Sequence, residues 1–205
     1  MAEPYGPLSA AAAPSPCADQ AETAVPEVLQ ALELGGIEEA VRGLRAQLGR
    51  EIDIVISRRH VLTGNWQALY DEMAEFRAAC GPAHVKAILA TGELGTLRNV
   101  ARASLVCMMA GADFVKTSTG KEKVNATFPV GLAMAGAIRA FLRETGFQVG
   151  LKPAGGIRSA TDGYRWLRLV KGELGEDWSR PLLFRIGASG LVTQVVSALA
   201  TRATS

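Results

Sequence analysis

The sequence predicts an α/β chain of the (β/α)8 TIM barrel type, and three observations point there. Strand-like runs recur at roughly 30-residue intervals with a helical pattern in each gap, the rhythm of repeated βα units and hence of a parallel sheet. The polar residues that interrupt this apolar framework, Lys116, Lys152 and the Gly187-Ala188-Ser189 turn, fall at carboxyl ends of strands, where barrels carry their chemistry. No G-x-G-x-x-G follows a first strand, so an open nucleotide-binding sheet, which would share the rhythm, lacks its main support. Five strands are visible, and the expectation is a partial barrel with about five of the eight strands.

Each element has a local reason. Residues 1–24 mix alanine, proline and serine without periodicity and are expected to be a disordered leader, with the barrel domain over 25–205. Val28, Leu29, Leu32, then Ile37, Val41, Leu44 and Leu48 recur at helical spacing, and Gly35-Gly36 divides them into two helices. Glu51–Ile56 is β-branched and reads as a strand with an acidic guest, Asp53, whose burial is costly unless something pairs with it. After Gly64, Asn65 caps a helix whose face carries Trp66, Leu69, Tyr70, Met73 and Phe76, ending near Gly81. Val85–Ala90 is a strand, Thr96–Ala110 a helix, and Gly111–Lys116 leads through a strand into the polar Thr117-Ser118-Thr119-Gly120 loop. Phe128–Thr145 is a helix stopped by Gly146, and Val149–Lys152 a strand. Ser159 and Asp162 form a capping signature for the next helix, Leu182–Ile186 is the last strand, and a closing helix ends near Ala200.

Composition bounds the function. With 205 residues, 48% of them hydrophobic, and a net charge of +2, the chain can bury a sizeable core and shows no basic footprint for nucleic acid. It has no apolar run of bilayer length, and the first basic residue is Arg42, so neither a membrane partner nor an import signal is expected. Cys17, Cys80 and Cys107 are odd in number and widely spaced, which predicts a reducing, cytoplasmic setting without disulfides or a metal site. His60 and His84 lack partners for a triad, and Trp66, Trp166 and Trp178 are expected to pack rather than to hold sugars.

The chemistry lies with the lysines. An isolated strand-end lysine usually reaches for solvent, yet Lys116 and Lys152 end neighbouring strands and converge in a barrel. An amine attacks a carbonyl only when neutral, and a lowering by about 3 units through a neighbouring cation and burial corresponds to roughly 4 kcal/mol of bias toward that form. Asp53 has two readings of comparable weight: a proton shuttle for the carbinolamine and enamine steps, or a buried charge that neutralises a lysine. A second group suggests a phosphate. Gly155 and Gly156 let backbone N–H groups approach an anion beside Arg158, and Gly187-Ala188-Ser189 offers more N–H groups before a helix.

Several runs then resemble the deoxyribose-phosphate aldolase family: Asp113-Phe-Val-Lys-Thr-Ser-Thr-Gly-Lys121, Val124-Asn-Ala-Thr127, Lys152-Pro-Ala-Gly-Gly-Ile-Arg158 and Phe184-Arg-Ile-Gly-Ala-Ser189, with support from Glu51–Ile56 and Ala90–Gly95. The resemblance implies a class I aldolase, without metal or other cofactor, that reversibly cleaves 2-deoxy-D-ribose 5-phosphate to D-glyceraldehyde 3-phosphate and acetaldehyde. It further implies that Lys116 forms the Schiff base, Lys152 lowers its pKa and Asp53 relays protons. Gly120, Lys121, Gly155, Gly156, Arg158, Gly187 and Ser189 would line the substrate and phosphate pocket.

The departures from the family are specific. Its first three strands, with their Leu-Asp-x-Thr-type, cysteine-containing and Phe-Pro-x-Gly-like segments, have no counterpart in the 52 residues before Asp53. The tail after Val192 lacks the family's tyrosine, and Gly190 stands where a second serine is common. A barrel lacking its first strands would expose sheet edges, which favours self-association into a homo-oligomer. Three readings follow: an aldolase, complete or completed by another chain; a truncated, inactive fragment with a binding or regulatory role; or a sugar-phosphate isomerase. The lysine pair argues against the last, because proton-shuttling isomerases need no nucleophilic amine.

Overall fold

The computed structural model describes residues 51–203. The leader at 1–24 and the helices expected between Val25 and Leu48 lie outside the described residues. Four strands form one parallel sheet in the order β1 (Glu51–Val55), β2 (His84–Ile88), β3 (Phe114–Lys116) and β4 (Gly150–Lys152). Helices fill the connections: α1 (Arg58–Leu62), α2 (Trp66–Cys80), α3 (Leu97–Met109), α4 (Phe128–Thr145), α5 (Ala160–Leu174) and, after the sheet, α6 (Leu191–Ala203). Successive helices from α2 to α6 pack side by side.

The helix ends follow the sequence signals. Asn65 accepts from the Ala68 N–H at the start of α2, Thr96 from Asn99 at α3, and Ser159 with Asp162 closes a reciprocal capping box at α5. Gly146 ends α4 in the left-handed region, as expected of a stop glycine. The five-residue α1 was not foreseen; it has no side-chain cap, and its signal was buried in a stretch that reads as loop. Tyr70, expected on the core face of α2, is instead exposed at 37%, while Leu69, Met73, Phe76 and Cys80 are buried.

The expected fifth strand at Leu182–Ile186 does not form as a strand. It is reduced to two isolated parallel bridges to β4 and its extension, Leu151 with Phe184 and Ala154 with Gly187. Pro153 lies between these bridges and has no N–H to donate, so a continuous ladder cannot run through it. On the entry side, the N–H groups of Leu183 and Phe184 both turn back to the Arg180 carbonyl. The architecture is therefore a partial barrel of four strands with a bridged fifth segment.

Alternation along the strands separates core from chemistry. Ile52, Ile54, Val85, Ala87, Leu89, Val115 and Leu151 join one apolar cluster with Leu69, Met73, Phe76, Met134 and Ile138 of the helices. The intervening positions, Asp53, Lys86, Lys116 and Lys152, belong to the opposite set. Gly150 shows how tightly the same rows are packed: it is the cross-strand partner of Phe114, and a Cβ there would overlap the Phe114 ring. Gly150→Ala is expected to lower stability by about 1–3 kcal/mol, read as a reduced urea midpoint with an unchanged slope. Among the described residues, no helix is long and apolar enough to cross a membrane.

Candidate active site

Parallel register brings the charged residues together from distant parts of the chain. Lys116 and Lys152 end β3 and β4 as direct cross-strand partners, and Asp53 in β1 is opposite Lys86 in β2. The Lys116 ammonium donates to Asp53 Oδ2 at 2.8 Å, and the Lys152 ammonium donates to the same oxygen at 2.9 Å. Two amines on one carboxylate oxygen cannot lie further apart than the two bond lengths added together. Convergence, expected from strand-end positions alone, is thus present in the structure.

A third lysine completes the cluster. Lys86 Nζ is 2.9 Å from Glu51 Oε2 and 3.4 Å from Asp53 Oδ1, and Arg185 meets Glu51 at 2.9 Å on the outer side. Sequence reading did not single out Lys86, although the signal existed: it is a charged guest in an apolar strand, as Asp53 is. Asp53, Lys86 and Lys116 are all buried, and the Lys152 side chain, at 15% exposure against 6% for Lys116, is the most open of the three lysines.

The carboxylates are held ionised by these contacts. Burial pushes the Asp53 carboxyl up, but the charges of Lys116, Lys152 and Lys86 together outweigh it and hold the group well below the usual carboxylate range. Glu51 follows the same pattern: burial raises it, and the hydrogen bond and charge of Lys86, then Arg185, bring it below its ordinary value. The described cluster sets four cationic side chains against two carboxylates. In this resting arrangement, Asp53 fits the charge-partner reading directly, and it partners three lysines rather than one.

The loops that follow β3 and β4 lie against each other. The Thr117 hydroxyl donates to the Ala154 carbonyl at 3.0 Å and accepts from the Ala154 N–H at 2.9 Å, and the Ser118 hydroxyl donates to the same carbonyl at 2.7 Å. Gly120 and Gly155 face each other closely: a Cβ on Gly120 would come within 3.9 Å of the Gly155 Cα. Gly155 has φ +84 and Asn125 packed where a Cβ would project, so no other residue fits there without displacement.

The expected anion donors are only partly available. The Gly155 N–H donates to the Gly187 carbonyl at 3.3 Å, and the Gly187 N–H to the Pro153 carbonyl at 2.9 Å. These two glycines tie the β4 extension to the bridged segment instead of pointing at an open site. The Gly120 N–H donates to the Glu122 carboxylate at 3.1 Å. Gly156, Arg158, Lys121 and Ser189 are exposed around this rim, and neither Lys121 nor Arg158 enters the ion-pair cluster. The polar Thr117-Ser118-Thr119-Gly120 run was noted from sequence without roles for its members, and Glu122 and Asn125, which help fasten the rim, were not singled out; Glu122 carried a readable local signal in its T-x-x-E spacing from Thr119.

Comparison with known proteins follows the same lines. The sequence profile of the DeoC/LacD family aldolases matches residues 22–189. A deoxyribose-phosphate aldolase from Homo sapiens is 65% identical over 145 residues, covering 71% of this chain and 46% of the relative. One from Agrobacterium fabrum is 42% identical over 151 residues, covering 73% of this chain and 57% of the relative. The chain spans about half the length of the curated mammalian relatives it matches. Among solved structures, a candidate deoxyribose-phosphate aldolase from Toxoplasma gondii superimposes with a TM-score of 0.73 over 80% of this chain and 65% of that one, at 22% identity, a likeness of fold. Another from Coccidioides immitis gives a TM-score of 0.65 over 80% of this chain and 58% of that one, at 25% identity. The fold class read from the βα rhythm agrees with these neighbours.

Proposed function

We propose, from the premise that the chain belongs to the DeoC/LacD family of aldolases, that it is a Schiff-base lyase that reversibly cleaves 2-deoxy-D-ribose 5-phosphate to D-glyceraldehyde 3-phosphate and acetaldehyde. The observation that carries this reading is the single Asp53 oxygen bonded by both Lys116 and Lys152. An amine attacks a carbonyl only in its neutral form, and a cation held beside an amine disfavours the charged form.

In this reading, the neutral Lys116 amine adds to the C1 aldehyde of the open-chain sugar. The carbinolamine loses water to give an iminium ion, whose positive charge draws the electrons of the C2–C3 bond once the C3 hydroxyl gives up its proton. That bond breaks, leaving an enamine on Lys116 and releasing D-glyceraldehyde 3-phosphate. Protonation of the enamine at C2 and addition of water then return acetaldehyde and the free amine. Lys152 supplies a fixed cation beside Lys116. Asp53, an ionised carboxylate bonded to both amines, passes protons between them without storing one for long. Gly120, Lys121, Gly155, Gly156, Arg158, Gly187 and Ser189 form the substrate rim; among them, Lys121 and Arg158 bring positive charge for the phosphate. Cys80 and Cys107 are both buried, a reducing cytoplasm is the setting of this reading, and self-association would cover the edge of β1 that has no partner strand among the described residues.

The test is covalent trapping. The folded chain incubated with acetaldehyde and borohydride is expected to gain one ethyl group, which peptide mass spectrometry places on Lys116. An adduct confined to Lys152 or Lys86, or none on a folded sample, would overturn the assignment. The absence of any adduct on a folded sample favours the second reading, a chain that binds without catalysing.

A further inference from the structure

The loop after β3 contains an anion that the proposed reaction does not use. Glu122 folds its carboxylate back onto Thr119 and Gly120 and accepts three hydrogen bonds: from the Thr119 N–H at 3.1 Å, the Thr119 hydroxyl at 2.9 Å and the Gly120 N–H at 3.1 Å. Gly120 has φ +95, a conformation that side-chain-bearing residues rarely adopt. Successive N–H groups around such a glycine form a concavity suited to an oxyanion. Glu122 fills it.

The T-x-x-E spacing and the Thr119 N–H bond to Glu122 are one half of a reciprocal helix cap, but the Thr119 hydroxyl accepts from the Lys121 N–H rather than from Glu122, and no helix follows; α4 begins only at Phe128, with its own cap at Thr127. Helix nucleation therefore does not account for the contact. The loop is also fastened without Glu122's carboxylate. Ser118 donates to the Ala154 carbonyl at 2.7 Å, the Asn125 amide donates to the Glu122 carbonyl at 2.8 Å, and Val124 and Asn125 pack where Gly92 and Gly155 would carry a Cβ. Among the described residues, no lysine or arginine forms an ion pair with the Glu122 carboxylate. Its hold is the two N–H groups and the Thr119 hydroxyl, so it can leave by rotation of its own side chain.

We propose that Glu122 is a built-in competitor for the phosphoryl group of the substrate, occupying the Thr119–Gly120 N–H groups when the site is empty and yielding them when a phosphate arrives. This rests on the reading of the β3 and β4 loops as a phosphate rim. A planar carboxylate with one negative charge can be displaced by a phosphoryl group with more charge and three acceptor oxygens. Neutral hydroxyls and singly charged acids cannot compete on those terms. Glu122 thereby sets specificity for phosphorylated substrates at the expense of affinity.

The test uses the full 205-residue chain and inorganic phosphate as the probe. Glu122→Gln and Glu122→Ala are expected to bind phosphate about tenfold more tightly than the wild type by calorimetry, because the bound anion no longer displaces a charge-assisted set of hydrogen bonds. They are also expected to discriminate less between phosphate and acetate. In the wild type, the amide resonances of Thr119 and Gly120 should shift on phosphate addition, a readout that does not depend on the variants folding. Equal or weaker phosphate binding by folded variants, no binding by any form, or binding that leaves those two amides unmoved would overturn the proposal. Acetaldehyde carries no phosphoryl group, so trapping at Lys116 reports separately on the Schiff-base reading.

Discussion

Replacing Lys116 with arginine is expected to abolish the borohydride-trapped adduct while leaving the fold in place. Arginine keeps a positive charge within reach of Asp53, which Lys116 now meets at 2.8 Å, so the buried carboxylate is not orphaned. A guanidinium, however, stays protonated at any accessible pH and cannot add to an aldehyde. Under the proposed Schiff-base reading, this removes the nucleophile, and cleavage of deoxyribose 5-phosphate is expected to fall at least about 10^3-fold. The companion change, Lys152→Met, separates roles. It leaves the nucleophile and removes a cation from the shared oxygen, so trapping should persist but its pH profile should move to higher pH, since the Lys116 ammonium then has less repulsion to relieve. A Lys152→Met variant with an unchanged profile would mean that Lys152 does not act on the Lys116 charge.

Asp53→Asn should have the largest effect on stability. The side chain keeps its shape but no longer carries the charge that faces Lys116, Lys152 and Lys86. Removing one partner from a buried ion cluster typically costs about 3–5 kcal/mol, because the remaining charges are left without compensation. The expected result is a urea midpoint well below the wild type at pH 7. The pH dependence has a defined sign. The Asp53 carboxyl is lowered on folding from its ordinary value of 3.8, so its contribution is present above that pH and is lost as pH falls toward the lower folded value. The wild type should therefore lose its advantage over Asp53→Asn as pH drops below about 4, and the two curves should approach each other. A gap that stays constant into strong acid would contradict the ionised, three-lysine arrangement.

What the sequence made readable was the charged interruption of apolar strands. Asp53, Lys116 and Lys152 stood out because burying a charge in a strand demands a partner, and the parallel register supplies it. Lys86 obeys the same rule and was passed over, although it sits at the centre of β2, because the other residues of that strand gave no chemical hint. The helix boundaries at Asn65, Gly146 and Ser159 were legible because caps are local. The fifth strand was not: its fate depended on Pro153 in a different segment and on a turn that closes on Arg180. The same holds for the glycine N–H groups. Gly155 and Gly187 looked free as isolated residues, but each donates to a carbonyl of the other's loop. Backbone donors are assigned by tertiary pairing, which spacing alone does not reveal.

The cross-strand rows of charge have a consequence for folding. Asp53 and Lys152 are 99 positions apart in the chain, Asp53 and Lys116 63 apart, and the outer pair of Glu51 with Arg185 spans 134. Contacts of such separation carry a high loop-closure cost and form only when the intervening segments have already docked. No local fragment of the chain can pre-assemble this cluster. Reactivity of the Lys116 amine toward an aldehyde would therefore serve as a clock for completed assembly, appearing in refolding only after the secondary structure and the apolar helix contacts are in place.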